Sequence, residues 1–276
     1  MIITEGARPA NREPTRATAA YAIILPVPAT FTQRFQVRFD ECASDGTARA
    51  AALLRYVIET AFGHSTHEGF PLAWYDARGL FWLVRRAHLD LHRPMPYGTA
   101  LDVTTEVLGF RRIWARRRNT VRDTSSEMLA IVTMDWIFTD RAGNPARIVP
   151  EMEAAFPGKS PRLEIERLEL SDPPAGLEPL EYVVPAHQVD PRGHMNSAAY
   201  LDVFEDALAG AGVDPQGRPA VYEVEYLRAA LPGEVLRRFV WQRNDGWAMV
   251  ASTPEGLPVV KARRQRGTDF GGRADA

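Results

Sequence analysis

The sequence predicts an α+β chain in which one unit, a long helix wrapped by a curled antiparallel sheet, is built twice in tandem. Two observations carry this. A strand, a loop with a central glycine and an apolar helix occur in that order from Phe35 and again from Val184. Each copy is then followed by runs with strand periodicity, and a Pro- and charge-rich stretch separates the copies.

The elements follow in order. Residues 1–30 carry charges of both signs without a clean cleavage site and are expected to form a flexible N-terminal arm. In "FQVRFDECASDGTARAAALLRYVIETAFGHS", Leu53, Val57 and Ala61 recur at helical spacing, predicting about four turns. Strand-like runs follow in "ARGLFWLVRRAHLDLHR", "ALDVTTEVLGFRRIWARRRNTVRD" and "EMLAIVTMDWIFTD". Ala87, Leu89 and Leu91 alternate with His88, Asp90 and His92, the period of a half-buried strand. "DRAGNP" at Asp140–Pro145 marks a turn. Residues 31–157 make the first unit, and 158–179 a linker expected to lie across a surface. The second unit spans 180–265, leaving 266–276 as a polar tail. Its helix carries Tyr200, Val203–Phe204 and Ala207–Leu208. Its strands are "RPAVYEVEYLRAAL", "EVLRRFVWQRNDGWAMVAST" and "LPVVKARRQR", with a hairpin signal at "RNDG". Laid over each other, the copies match Gly46 with Gly193, Leu53 with Tyr200, Val57 with Phe204 and Ala61 with Leu208. An apolar helix stripe is most simply buried by a sheet that wraps it. That is the hotdog arrangement, and two copies in one chain make a tandem double hotdog.

Composition narrows the function. The chain has 276 residues, 45% hydrophobic and 25% charged, with a net charge of −2. Nothing there favours a nucleic-acid partner or a membrane surface. The basic run "RRIWARRR" is explained as well by strand alternation, with Ile113 and Ala115 on one face and Arg112, Trp114 and Arg116 on the other. No stretch approaches the ~20 apolar residues of a membrane span. Cys42 is the single cysteine, which excludes an internal disulfide and fits a reducing, cytoplasmic setting. The sequence holds no metal-ligand cluster, phosphate loop or Ser nucleophile elbow, so no metal or cofactor is expected. The aromatic-rich Phe70–Val84 either packs a core or lines a pocket.

The stretch "HQVDPRGHMNSAAYLDVFEDALAG" concentrates Asp190, Gly193, His194 and Asn196 just before the second helix. Asn196 and Ser197 are good N-caps and Asp190-Pro191 is good turn chemistry, so a capped helix accounts for the spacing alone. The ordered set Asp190, Gly193, His194, Met195, Asn196 and Tyr200, continued by Glu205 and Ala207, is similar to the active-site segment of hotdog thioesterases. With the tandem layout, residues 32–265 resemble the acyl-ACP thioesterases of fatty-acid synthesis.

That resemblance implies a thioester hydrolase acting on a fatty acyl thioester of acyl carrier protein or coenzyme A. Asp190 is expected to deprotonate a water or attack directly. Gly193 admits the thioester closely, and the helix start, near Asn196 or Ser197, stabilises the oxyanion. His194 orients the substrate or protonates the leaving thiolate, and Asn196 is a cap, a substrate contact or both. Met195 and Tyr200 are expected beside the substrate. Arg192 is either a solvated charge or a contact to carrier or coenzyme phosphates. The chain departs from the plant pattern at Arg192, where that pattern has Asn. It departs again at Ala229 and Ala230, where that pattern has a carboxylate and a cysteine after the Glu-Tyr pair matched by Glu225-Tyr226. The first copy is worn: Ala43, Thr47 and Arg49 stand opposite Asp190, His194 and Asn196. It is expected to supply the acyl pocket, with Glu41 and Asp45 either reaching the site or solvated. The alternatives are an acyl-thioester binding protein without hydrolysis and, ranked last, a hotdog dehydratase or hydratase. A monomer or a homodimer of double hotdogs is expected.

Overall fold

The computed structural model describes residues 30–156 and 163–268. The expected arm and tail fall almost wholly outside those residues. The first half contains β1 (Thr30–Gln36), α1 (Ala50–His67), α2 (Leu72–Arg78), β2 (Leu80–Leu91), β3 (Ala100–Arg111), β4 (Trp114–Asp123), β5 (Met128–Asp140) and α3 (Pro150–Ala155). The second contains β6 (Leu180–Val183), α4 (Ala199–Gly210), β7 (Ala220–Tyr226), β8 (Val235–Arg243), β9 (Gly246–Ser252) and β10 (Pro258–Arg266).

All ten strands belong to one antiparallel sheet in the order β1-β3-β4-β5-β2-β7-β10-β9-β8-β6. Exchanging β1 with β6, β3 with β8, β4 with β9, β5 with β10 and β2 with β7 reverses that order onto itself. The duplication is therefore a pseudo-two-fold centred on the β2–β7 pairing, where His88 stands opposite Glu223. Each sheet half curls around its helix, giving the tandem double hotdog.

The core follows from the expected stripes. Leu53, Leu54 and Val57 of α1 and Leu201, Phe204 and Leu208 of α4 are fully buried. They form one cluster with Leu89 and Leu91 of β2 and Tyr222 of β7. Each such large apolar side chain contributes about 1.5–3 kcal/mol by leaving water. "RNDG" makes its hairpin, with Arg243 paired to Gly246.

Four expectations need correction. Residues 100–123, read as one run, form a β3–β4 hairpin turning at Arg112 and Ile113, so neither residue has a strand face. Arg112 takes a positive φ of 59° without any glycine or proline signal. α1 is longer and α4 shorter than about four turns, at 18 and 12 residues. α4 starts at Ala199 rather than Asn196 or Ser197. Short α2 and α3 carry no full helical repeat and were not expected.

Residues 163–168 lie against the sheet, with Leu163 and Leu168 buried. Their backbone is tied down by charged side chains. Leu168 N–H donates to Glu225 Oε2 at 3.0 Å, and Arg111 donates to Leu163 O at 2.9 Å.

Candidate active site

The loop before α4 is a tight turn closed by two backbone bonds. Asp190 N–H donates to His194 O at 2.8 Å, and Gly193 N–H donates to Asp190 O at 2.9 Å. Gly193 sits at φ +81° with nothing within 4 Å of a built Cβ. Glycine is required there by conformation rather than by crowding. The worn copy is built identically. Ala43 N–H donates to Thr47 O at 2.8 Å, Gly46 N–H to Ala43 O at 3.0 Å, and Gly46 has φ +79°.

Beneath the loop, Met195 N–H donates to Ala230 O at 2.8 Å, and Ala230 N–H donates to the Tyr200 hydroxyl at 3.1 Å. The Tyr226 hydroxyl donates to Ser197 O at 2.9 Å. Met195 and Tyr200, expected as substrate contacts, are buried at 4% and 3% exposure and support the loop from below. Burial raises the Tyr200 phenol to about 12, so it stays protonated. Arg228 and Glu234, paired at 2.6 Å, bear electrostatically on that hydroxyl, as Asp190 does. Sequence reasoning gave this pair no place, since nothing local marks two residues six apart as neighbours of a distant loop.

Asp190, Arg192, His194 and Asn196 keep partial exposure. Asp190 Oδ1 accepts the Arg192 N–H at 2.8 Å, which holds the carboxylate in the turn. Asn196 forms an Asx turn ahead of the N-cap Ala198, its Oδ1 accepting Ala198 N–H at 2.9 Å. That Asx turn delays the helix to Ala199. Arg192 is not a free loop charge. It crosses to the first half, donating to Asp76 Oδ1 of α2 at 2.6 Å and lying over the Phe81 ring of β2 at 3.8 Å. The site is thus assembled from both halves.

The two copies differ in what their backbone donors meet. Among the described residues, the N–H groups of His194 and Ser197 have no acceptor. Their counterparts in the worn copy are both satisfied by carboxylates. Thr47 N–H donates to Asp45 Oδ1 at 2.9 Å, and Ala50 N–H donates to Glu205 Oε1 at 3.3 Å. The worn copy thus closes these two donors with its own side chains and Glu205, and the second copy leaves the equivalent pair open. Glu41 does not reach the second-copy loop; it is buried against Arg38 at 2.7 Å and the Tyr56 hydroxyl. Burial also raises the Cys42 thiol, which keeps it from acting as a thiolate.

A small cavity of about 30 Å³, partly open to solvent, lies between α1 and the first-half sheet. Phe62, Tyr75, Trp82, Phe110, Trp136 and Phe156 form much of its wall. Tyr75 and Trp82 neighbour Asp76 and Phe81, so the layer that carries Arg192 on one side lines the cavity on the other. The aromatic segment Phe70–Val84 therefore serves both readings: Phe70 and Tyr75 are buried, and Tyr75 and Trp82 line the cavity.

Residues 28–156 match the family model of the acyl-ACP thioesterase N-terminal domain. That match covers just under half of the chain, and those residues are similar to the acyl-ACP thioesterase family. A chloroplastic palmitoyl-acyl carrier protein thioesterase of Gossypium hirsutum is 24% identical over 190 residues, 62% of this chain and 45% of the relative. A chloroplastic acyl-[acyl-carrier-protein] hydrolase of Cuphea viscosissima is 23% identical over 186 residues, with the same coverage of 62% and 45%. The chain spans about half the length of these curated relatives. Two solved structures share the fold of this chain. An acyl-ACP thioesterase of Bacteroides thetaiotaomicron superposes with TM-score 0.71 at 17% identity, covering 86% of this chain and 97% of that one. The 12:0-ACP thioesterase of Umbellularia californica superposes with TM-score 0.72 at 21% identity, covering 86% and 96%.

Proposed function

We propose that this chain is a thioester hydrolase that releases a fatty acid from an acyl thioester of acyl carrier protein, with the loop Asp190–Asn196 as its catalytic centre. The observation that carries the reading is the contrast between the copies. The same backbone turn is plugged by Asp45 and Glu205 in the first half, while in the second it presents Asp190 beside two unengaged N–H donors.

In this reading the thioester carbonyl oxygen lies at the His194 and Ser197 N–H groups, at the positive end of α4. Asp190 takes a proton from water, and the hydroxide attacks the carbonyl carbon. The tetrahedral intermediate collapses with cleavage of the C–S bond. His194 donates its proton to the departing thiolate and is reprotonated from Asp190, and the carboxylic acid formed loses its own proton to solvent. Direct attack by Asp190 gives a mixed anhydride instead, in which hydrolysis carries solvent oxygen into the aspartate on the first turnover. Arg192, neutralised by Asp76, is a positioning residue that ties the loop to the first half. The first-half cavity receives the acyl chain. Coenzyme A thioesters are alternative substrates of the same chemistry.

Thiol release from acyl thioesters of graded length, on carrier protein and on coenzyme A, tests this beside Asp190→Ala. Turnover lost in the variant supports the reading, and a single turnover in heavy-oxygen water separates the two routes. Binding of the substrates without thiol release by the wild type would replace it with a binding protein, the reading favoured by Ala229 and Ala230.

A further inference from the structure

The cavity between α1 and the first-half sheet is lined by aromatic and aliphatic side chains, and Arg117 is the charged residue among them. On β4 the inward positions are Ala115, Arg117, Asn119 and Val121. Asn119 donates to Val132 O at 3.0 Å, and Ala115 and Val121 are buried apolar groups. Arg117 lines the cavity and is largely buried.

Its partners do not neutralise it. Arg117 Nη1 lies 3.0 Å from His64 Nδ1. Burial first, then the Arg117 and His67 charges, lower the His64 pKa to about 4, so the ring is a neutral acceptor at physiological pH. The guanidinium also sits 5.3 Å from the centre of the Phe156 ring. Among the described residues, no carboxylate lies within ion-pair distance of Arg117. Its sheet neighbours Arg116 and Arg118 each have one, Asp135 at 2.6 Å and Glu106 at 2.5 Å. Burial lowers the Arg117 pKa to about 10, which leaves it charged at neutral pH. Ser65 Oγ and the Tyr75 hydroxyl, 2.7 Å apart, add polar atoms to the same lining. A desolvated cation without a counter-ion is costly, and an aliphatic methyl end brought against it removes its remaining water without replacing it.

We propose that this cavity selects an acyl group whose far end carries a carboxylate, which pairs with Arg117. The substrate is then the thioester of a dicarboxylic acid, one end activated and the other free. This rests on the thioester-hydrolase reading for the orientation of the chain, and it deepens that reading by naming the substrate class.

The test uses amide analogues of N-acetylcysteamine thioesters, which release no thiol, in pairs of equal length ending in methyl or in carboxylate. Binding is followed by quenching of Trp82 and Trp136 in the cavity wall. The carboxylate-ended analogue is expected to bind the wild type about tenfold more tightly than its methyl-ended mate, the size of one charge-assisted hydrogen bond. Arg117→Met abolishes the preference, and Arg117→Lys retains part of it. Equal or tighter binding of the methyl-ended analogue by the wild type overturns the proposal, as does binding of neither. Since the wild-type pair decides, a variant that fails to fold does not rescue it. Thiol release from unsubstituted acyl thioesters with no carboxylate preference sinks this inference and leaves the hydrolase reading standing. A carboxylate preference without turnover of any thioester does the reverse.

Discussion

Glu205 is the group whose ionisation the fold disturbs in the most testable way. It is 3% exposed on α4, and its Oε1 accepts from Ala50 N–H and from the Tyr222 hydroxyl at 3.2 Å. Its Oε2 has no partner among the described residues. Burial dominates, lifting the carboxyl from its ordinary 4.5 to about 7 against the opposing pull of Arg218. Between those two values the folded protein keeps a proton that the unfolded chain has released. Stability from this group is therefore complete below pH ~4.5, falls as pH rises, and is lost above pH ~7. At 1.36 kcal/mol per pH unit, the full loss is about 3 kcal/mol. Glu205→Gln keeps the Oε1 acceptor and cannot ionise. Urea unfolding followed by tryptophan fluorescence, from about pH 4 to pH 9, should show the variant gaining about 3 kcal/mol on the wild type as pH rises. Any fixed cost of the amide shifts the whole curve and leaves this slope. His64, whose pKa is depressed to about 4, stabilises in the opposite direction over part of the window. It is common to both proteins and cancels in the difference. A stability difference that stays constant across the range would refute a raised Glu205.

The duplicated turn offers an internal control. Gly193→Ala and Gly46→Ala each force alanine to a φ near +80° and should cost about 1–3 kcal/mol in unfolding free energy, while only Gly193→Ala also lowers thioester turnover. Arg192→Met removes a half-exposed ion pair and a ring contact, together worth about 1–2 kcal/mol. Calorimetry should show a Tm drop of about 2–8 °C, with a larger proportional loss in kcat/KM than in stability because the loop is no longer tied to α2. Phe204→Ala opens a cavity in the fully buried α4 stripe and should cost about 3–5 kcal/mol by denaturant titration.

Much of the fold is legible in the residue pattern. The stripes Leu53-Val57-Ala61 and Tyr200-Phe204-Leu208 are buried as their spacing requires, and the Gly46–Gly193 match holds down to the hydrogen bonds of the two turns. The β3–β4 turn is illegible because Arg112 and Ile113 carry no turn chemistry, and only the pairing of flanking strands forces Arg112 to positive φ. Inward-facing Arg117 sits in an arginine run whose neighbours face out, so composition hides it.

The sequence by itself determined the tandem architecture, the two apolar helices and the residues of the Asp190–Asn196 turn. Periodicity and turn chemistry act over a few residues and need no partner to be recognised. Tertiary structure alone decided which copy keeps its donors open, since Ala50 is capped by Glu205 from 155 positions away. It likewise decided that Arg192 pairs with Asp76, 116 positions distant, and that Arg117 faces a cavity with a neutral imidazole and an aromatic ring beside it. Burial and long-range charge pairing depend on which surfaces the fold brings together, and that information is absent from any local stretch of chain.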